Sequence, residues 1–175
     1  MFQKIILSAL LLWSFQPAPK SIYDFVIPGM DGEKIQAATK GKKLLVIIVS
    51  ANTQNISRLK MIDSLQGKEP GRFKALAMPV LYLEQPGALG DFRKLMNQVK
   101  PGFAVSRPVS SVNNDEDQNK LLQWLTHKDQ NLHFEQNVQD GQMFLVNEFG
   151  VLFATMGANT PPHAIKKLLD IQTKF

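Results

Sequence analysis

The side chains best placed to do chemistry in this 175-residue chain lie at one junction. Six consecutive apolar residues, Leu44 to Val49, run into the polar turn Ser50-Ala51-Asn52-Thr53-Gln54. A Thr53 hydroxyl acting as a hydrolytic nucleophile needs a general base in reach, typically histidine. The chain has three, His127, His133 and His163. A Thr53–His133–Asp140 arrangement can be assembled from them, but nothing in the spacing supports it. The structural alternative is that Thr53, or neighbouring Asn52, caps a helix starting there, an interaction worth about 1 kcal/mol. Cysteine is absent from the whole chain, which removes thiolate chemistry and disulfides from consideration.

Other candidate sites are weaker. Asn113-Asn114-Asp115-Glu116-Asp117 invites comparison with a calcium loop but lacks the turn glycine and the closing glutamate. It is better read as the start of the helix that follows, where acidic groups meet the positive end of the helix dipole. His127 and His133 form no paired motif with another ligand. Of the seven methionines, Met61, Met78 and Met96 fall at core-facing positions, where a flexible thioether fills gaps. Gly41-Lys42 lacks the second glycine of a phosphate loop. No cofactor or metal is therefore expected. The net charge of +5 is dispersed. Its densest cluster, Lys40, Lys42 and Lys43, precedes an apolar strand with no interleaved aromatics, so nucleic acid is not an expected partner.

The elements that must position these residues follow from periodicity. With 44% hydrophobic and 20% charged residues, the chain has the composition of a globular protein, and its length fits one domain. Ile22 to Ile27 reads as a strand, and Gly29-Met30-Asp31-Gly32 as a turn returning through Glu33-Lys34-Ile35, an N-terminal β-hairpin. Leu44 to Val49, apolar throughout, predicts a central strand covered on both faces. Ile56, Leu59, Ile62 and Leu65 predict a helix over 53–66. A strand follows at Phe73 to Pro79, then a helix over 86–99 and an extended segment, Phe103 to Val112, broken by Pro108. A helix is predicted over 117–128 and a polar loop over 129–141. Gln142 to Val146 and Val151 to Met156 flank a turn as a second hairpin. Thr160-Pro161-Pro162 opens a last helix, with Thr160 as N-cap and Ile165, Leu168, Leu169 and Ile171 as its buried face. Strands alternating with helices imply a mainly parallel sheet with helices on its faces, and the late hairpin makes it mixed. The resulting class is α/β, of the thioredoxin-like kind.

Ahead of this domain, residues 1–19 read as a signal peptide. Lys4 supplies the positive start, and Ile5 to Phe15 form an apolar run shorter than the roughly 20 residues a bilayer span needs. Cleavage is expected near Ala18, although no Ala-x-Ala site is present. The expected location is periplasmic or secreted, with the domain spanning 20–175. A membrane partner is expected only through an uncleaved leader, because a lipoprotein anchor needs a cysteine.

Several short stretches, taken in order, resemble the glutathione peroxidase family. They are Tyr23-Asp24-Phe25 with Asp31-Gly32, Gly41-Lys42 with the Leu44–Val49 strand, Leu76-Ala77-Met78-Pro79, and Gln85-Pro86-Gly87. Val112-Asn113-Asn114, Leu121 to Leu125, and Phe144-Leu145-Val146 with Gly150 complete the set. The resemblance covers nearly all of the chain after the leader. It implies a thioredoxin-like fold and a reaction in which a cysteine or selenocysteine reduces hydroperoxides, assisted by Gln, Trp and Asn, with glutathione or thioredoxin restoring the thiol. Carried over one at a time, the nucleophile falls at Thr53, the Gln at Tyr82, the Trp at Gln139 and the Asn at Asp140. All four differ, and the loop carrying Tyr82 is about two residues short. A threonine hydroxyl has no counterpart to the sulfenic step of a thiolate. The resemblance therefore implies a pseudoenzyme that binds an unidentified protein or small ligand. The competing reading is a glutathione-peroxidase-type oxidoreductase of the oxidative stress response.

Overall fold

A computed structural model describes residues 21–30, 32–35, 41–81, 88–110 and 117–173. The element order is β1 (Lys43–Val49), α1 (Gln54–Lys68), β2 (Phe73–Leu81), α2 (Ala88–Val99), β3 (Ala104–Val105), β4 (Val109–Ser110), α3 (Asp117–Thr126), α4 (Lys128–Asn131), β5 (Met143–Val146), β6 (Leu152–Met156) and α5 (Pro162–Asp170). The strands form one mixed sheet in the order β3-β2-β1-β5-β6, and β4 also pairs with β2. β1 is parallel to β2 from Lys43↔Phe73 to Val49↔Pro79 and antiparallel to β5. The leader, residues 1–19, lies outside the described residues.

Alternation along β1 explains the layers, because successive side chains of a strand point to opposite faces. Leu44, Val46 and Ile48 join Leu76, Met78, Phe144 and Val146 on one face, covered by Leu121, Trp124 and Leu125 of α3 and by Ile22 and Phe25. Leu45, Ile47 and Val49 join Ala75, Ala77, Met143 and Leu145 on the other. That face is covered by Leu59 and Ile62 of α1, Phe92, Leu95 and Met96 of α2, and Ile165 and Leu169 of α5. All seven β1 residues are buried, as expected of a strand between two helical layers.

Local chemistry changes several predicted elements. Ile22–Asp24 is a 3-10 turn and not a strand, because Ser21 and Asp24 form a capping box: Tyr23 N–H donates to Ser21 Oγ, and Ser21 N–H to Asp24 Oδ2. The N-terminal hairpin survives in its shortest form, one antiparallel bridge between Pro28 and Lys34, with Gly32 N–H bonded to the Gly29 carbonyl. The polar loop after α3 contains the short helix α4. Buried Asn131 holds it by donating to the carbonyls of Trp124 and Phe134, both at 2.9 Å. Thr160 does not cap α5; Pro161 stands at the N-cap, with proline again in the first helical position. Ile171 falls after the helix ends and is 42% exposed, so it is no part of the buried face.

Lys43, the last of the basic cluster ahead of the apolar run, is itself part of β1 and is buried with 4% exposure. Its ammonium donates to the carbonyls of Leu169 (2.8 Å) and Ile171 at the end of α5, and lies 3.7 Å from Glu148. The last carbonyls of a helix lack intrahelical partners, so a cation there both satisfies them and complements the dipole. Partial burial alone would raise the Glu148 carboxyl. Hydrogen bonds from Thr173 and the backbone, together with the Lys43 ammonium, hold it below its ordinary value of 4.5. A depressed carboxylate contributes stability above its ordinary value that is lost as pH falls through the folded one. Lys43→Met, which keeps the apolar stem, is expected to lower unfolding stability by about 2 kcal/mol at pH 7. Glu148→Gln should flatten the loss of stability below pH 4.5 relative to the unmodified chain; urea titrations at pH 7 and in acid read both effects.

Candidate functional site

The junction after β1 is assembled from three segments. At its start, Asn52 initiates α1: Gln54 N–H donates to Asn52 Oδ1 at 3.0 Å, and Asn55 N–H to the Asn52 carbonyl at 3.0 Å. Thr53 is already helical (φ −61°, ψ −22°), makes no side-chain cap bond and is exposed. The capping role expected of one of these two residues therefore falls to Asn52.

Below the turn, α1 buries Asn55, Leu59 and Ile62, at spacings of four and three. Asn55 is thus a polar residue on the apolar stripe of a helix, fully buried, and its amide needs partners. It donates to the Ser50 carbonyl (3.1 Å) and to both oxygens of Asp140 (2.9 and 3.2 Å). Its own oxygen accepts from Arg58 Nη1, and Arg58 Nε donates to the Ala158 carbonyl at 3.1 Å.

The third segment brings Asp140 to the turn. Gly141 N–H donates to the Ile48 carbonyl, and Ile48 N–H to that of Gln142, which continues the β1–β5 pairing by one step. Ser50 N–H then donates to Asp140 Oδ1 at 2.7 Å. Gly141 sits at φ +75°, and a Cβ there would lie 2.1 Å from Arg58 Nη1, so glycine is required both for the backbone and for the approach of the guanidinium. Both carboxylate oxygens of Asp140 are thereby engaged by the backbone and by Asn55.

Of the four positions carried over by resemblance, the structure brings Asp140 to the turn bearing Thr53. Gln139 is exposed, its N–H bonded to Gln142 Oε1 at 3.1 Å. Tyr82 lies outside the described residues. No hydrogen bond joins Thr53, His133 and Asp140; the exposed His133 ring packs edge-on against Phe134, with centroids 6.2 Å apart. Among the described residues, no three His, Asp or Glu side chains converge to hold a metal ion. The acidic stretch 113–116 lies outside them. Asn55 and Arg58 are the partners that sequence reasoning missed, although a polar residue four and seven places before Leu59 and Ile62 was a readable signal.

No family model matches the chain, and no curated protein matches it. Solved structures do. A protein named Trgpx, in its apo form, superposes with a TM-score of 0.60 at 18% identity, over 86% of this chain and 93% of its own. The fold is thioredoxin-like. GPX1 of T. cruzi matches at 0.58 and 19% identity, over 86% and 94% of the two chains. The exposed lipoprotein thioredoxin Etrx1 of Streptococcus pneumoniae matches at 0.57 and 15%, over 83% and 96%. In this thioredoxin-like frame the junction after β1 holds a hydroxyl, a caps-and-clasp network and no thiol.

Removing the Asp140 carboxylate leaves the buried Asn55 amide short of partners. Asp140→Ala should therefore destabilise by about 2 kcal/mol, lowering Tm by about 4–8 °C. Exposed, unbonded Thr53→Ala should stay within about 0.5 kcal/mol. Thermal melts of the two variants side by side check this contrast.

Proposed function

We propose that the chain is an exported, glutathione-peroxidase-like protein that does not reduce hydroperoxides and acts by binding a partner protein or small ligand at the surface around the Thr53 turn. The observation that carries this reading is the use of Asp140. At the position where the resemblance expects an asparagine assisting a sulfur nucleophile, a carboxylate is hydrogen-bonded to Ser50 N–H and Asn55. The nucleophile position holds Thr53, and the chain contains no cysteine that could substitute for it. Two structural neighbours, Trgpx and GPX1, bear glutathione-peroxidase-type names, but thioredoxins and thiol:disulfide interchange proteins match equally well, so the choice of branch rests on the sequence resemblance. Export rests on the basic and apolar leader, and the likeness to an exposed lipoprotein thioredoxin is consistent with it.

Peroxide reduction requires an atom that accepts two electrons' worth of oxidation and is then reduced by a thiol. Sulfur does this through a sulfenic acid. Threonine oxygen has no such step, so no positioning of Thr53 replaces it. The purified protein is expected to consume no hydroperoxide with glutathione or thioredoxin as reductant. Clear turnover in that assay would overturn the proposal in favour of an oxidoreductase.

Thr53→Cys is expected to restore little activity. The new thiol would sit on an exposed turn, without the Trp and Asn that the resemblance places at Gln139 and Asp140. At the N-terminus of α1 the thiolate form is favoured, so what the variant lacks is the assisting side chains and not ionisation. A pH–rate profile of the variant tests both points; turnover at the level of an active peroxidase would show that the surrounding residues are dispensable.

A further inference from the structure

A second site lies away from the Thr53 turn, between the C-terminal half of α2, the loop to β3 and the N-terminal turn. It is a cavity of about 480 Å³, within the size range of small-molecule sites. Arg93, Met96 and Asn97 line one wall, at positions i, i+3 and i+4 that share a helix face. Phe103 and Met30 supply apolar surface opposite. Met96 and Phe103 are largely buried, whereas Arg93 and Asn97 are exposed at the rim. Among the described residues, Arg93 has no ion-pair partner.

The walls are held in place without a ligand. α2 stops where Lys100 adopts φ +45°, its N–H bonded to the Met96 carbonyl at 2.7 Å, and Pro101 prevents continuation. Gly102 N–H donates to Asp63 Oδ1 of α1 at 2.8 Å, which ties the loop down. On the opposite side, Met30 N–H donates to the Val105 carbonyl at 2.9 Å.

We propose that this cavity binds a small amphipathic monocarboxylate, with its carboxylate on the Arg93 guanidinium and the Asn97 amide and its apolar body against Met30, Met96 and Phe103. A planar guanidinium matches a carboxylate with two parallel hydrogen bonds, and the thioethers and ring accept an apolar chain of variable shape. A second carboxylate at the far end of the ligand would be buried against Met30, Met96 and Phe103, away from the guanidinium, which disfavours a dicarboxylate. The assignment is independent of the function proposed for the Thr53 surface.

Octanoate, octan-1-ol and octanedioate are the probes, titrated into the ¹⁵N-labelled full chain and followed by amide chemical shifts. Octanoate should give saturable shifts centred on Asn97, Ala104 and Val105, with the neutral alcohol and the dianion binding at least tenfold more weakly. Arg93→Gln should weaken octanoate at least tenfold, while Arg93→Lys retains part of the affinity. The amide spectrum of each variant reports directly that it is folded. Four outcomes would overturn the proposal: no saturable shift, equal binding of octanoate and octanol, unchanged affinity in Arg93→Gln, or shifts centred on the Thr53 turn. An acetylated Ala-Ala-Leu peptide with a free carboxylate separates a free acid from a peptide C-terminus. Tighter binding of the peptide than of octanoate would reject the small-acid assignment.

Discussion

Strand β1 is paired on both edges and covered on both faces, and most of the fold can be traced from that constraint. Its seven residues must find apolar neighbours above and below, so α1, α2 and α5 are required on one face and α3 with the N-terminal segment on the other. Each apolar side chain of this kind contributes about 1.5–3 kcal/mol when buried, so the strand supplies a large share of the core's stability. The strand's charged first residue obeys the same rule. Lys43 enters the interior only because the end of α5 presents carbonyls that lack helical partners.

Burial creates the polar problem at the other end of the strand. α1 begins directly after β1 and turns inward, which places Asn55 on the face that meets the sheet. A buried amide without partners is costly, and the Ser50 N–H left over after β1 ends is a second donor that needs an acceptor. One carboxylate satisfies both. The extended pairing of Gly141 and Gln142 with Ile48 delivers that carboxylate to the turn, and Gly141 leaves room for Arg58 to complete the network. The polar residues around Thr53 are thus bound to one another by the requirements of folding.

Elements with an unambiguous period were legible in the sequence. The apolar run Leu44 to Val49 in β1, the stripe Leu59 and Ile62 on α1 and the late hairpin each lie close to where their patterns put them. What was not legible depended on competition between local signals or on distance along the chain. Ile22 to Ile27 alternates like a strand, yet Ser21 and Asp24 offered the backbone a capped turn, and that local hydrogen bonding won. Thr160 looked like an N-cap, but the two prolines set the helix start one residue later. At the candidate site, the position of Thr53 beside a strand end was readable. The Asp140–Asn55 bond joins residues 85 apart, and no local pattern announces such a pairing.

The clasp bears on what the site can become as well as on what it is. The donors around a nucleophile must be preorganised and aimed at the atoms where charge develops. Here the Ser50 N–H points to Asp140, the Asn55 amide points to Asp140 and to the Ser50 carbonyl, and Arg58 points to Asn55 and to the Ala158 carbonyl. These donors are assigned to protein acceptors, so none of them is aimed at a reacting atom restored at Thr53. Freeing those donors would mean removing the acceptor on which the buried amide depends, at a cost to the fold. The hydrogen-bonding groups at this turn therefore serve the stability of the fold. On the function proposed above, the exposed surface over the turn serves recognition, which requires shape and hydrogen-bonding edges but no thiol.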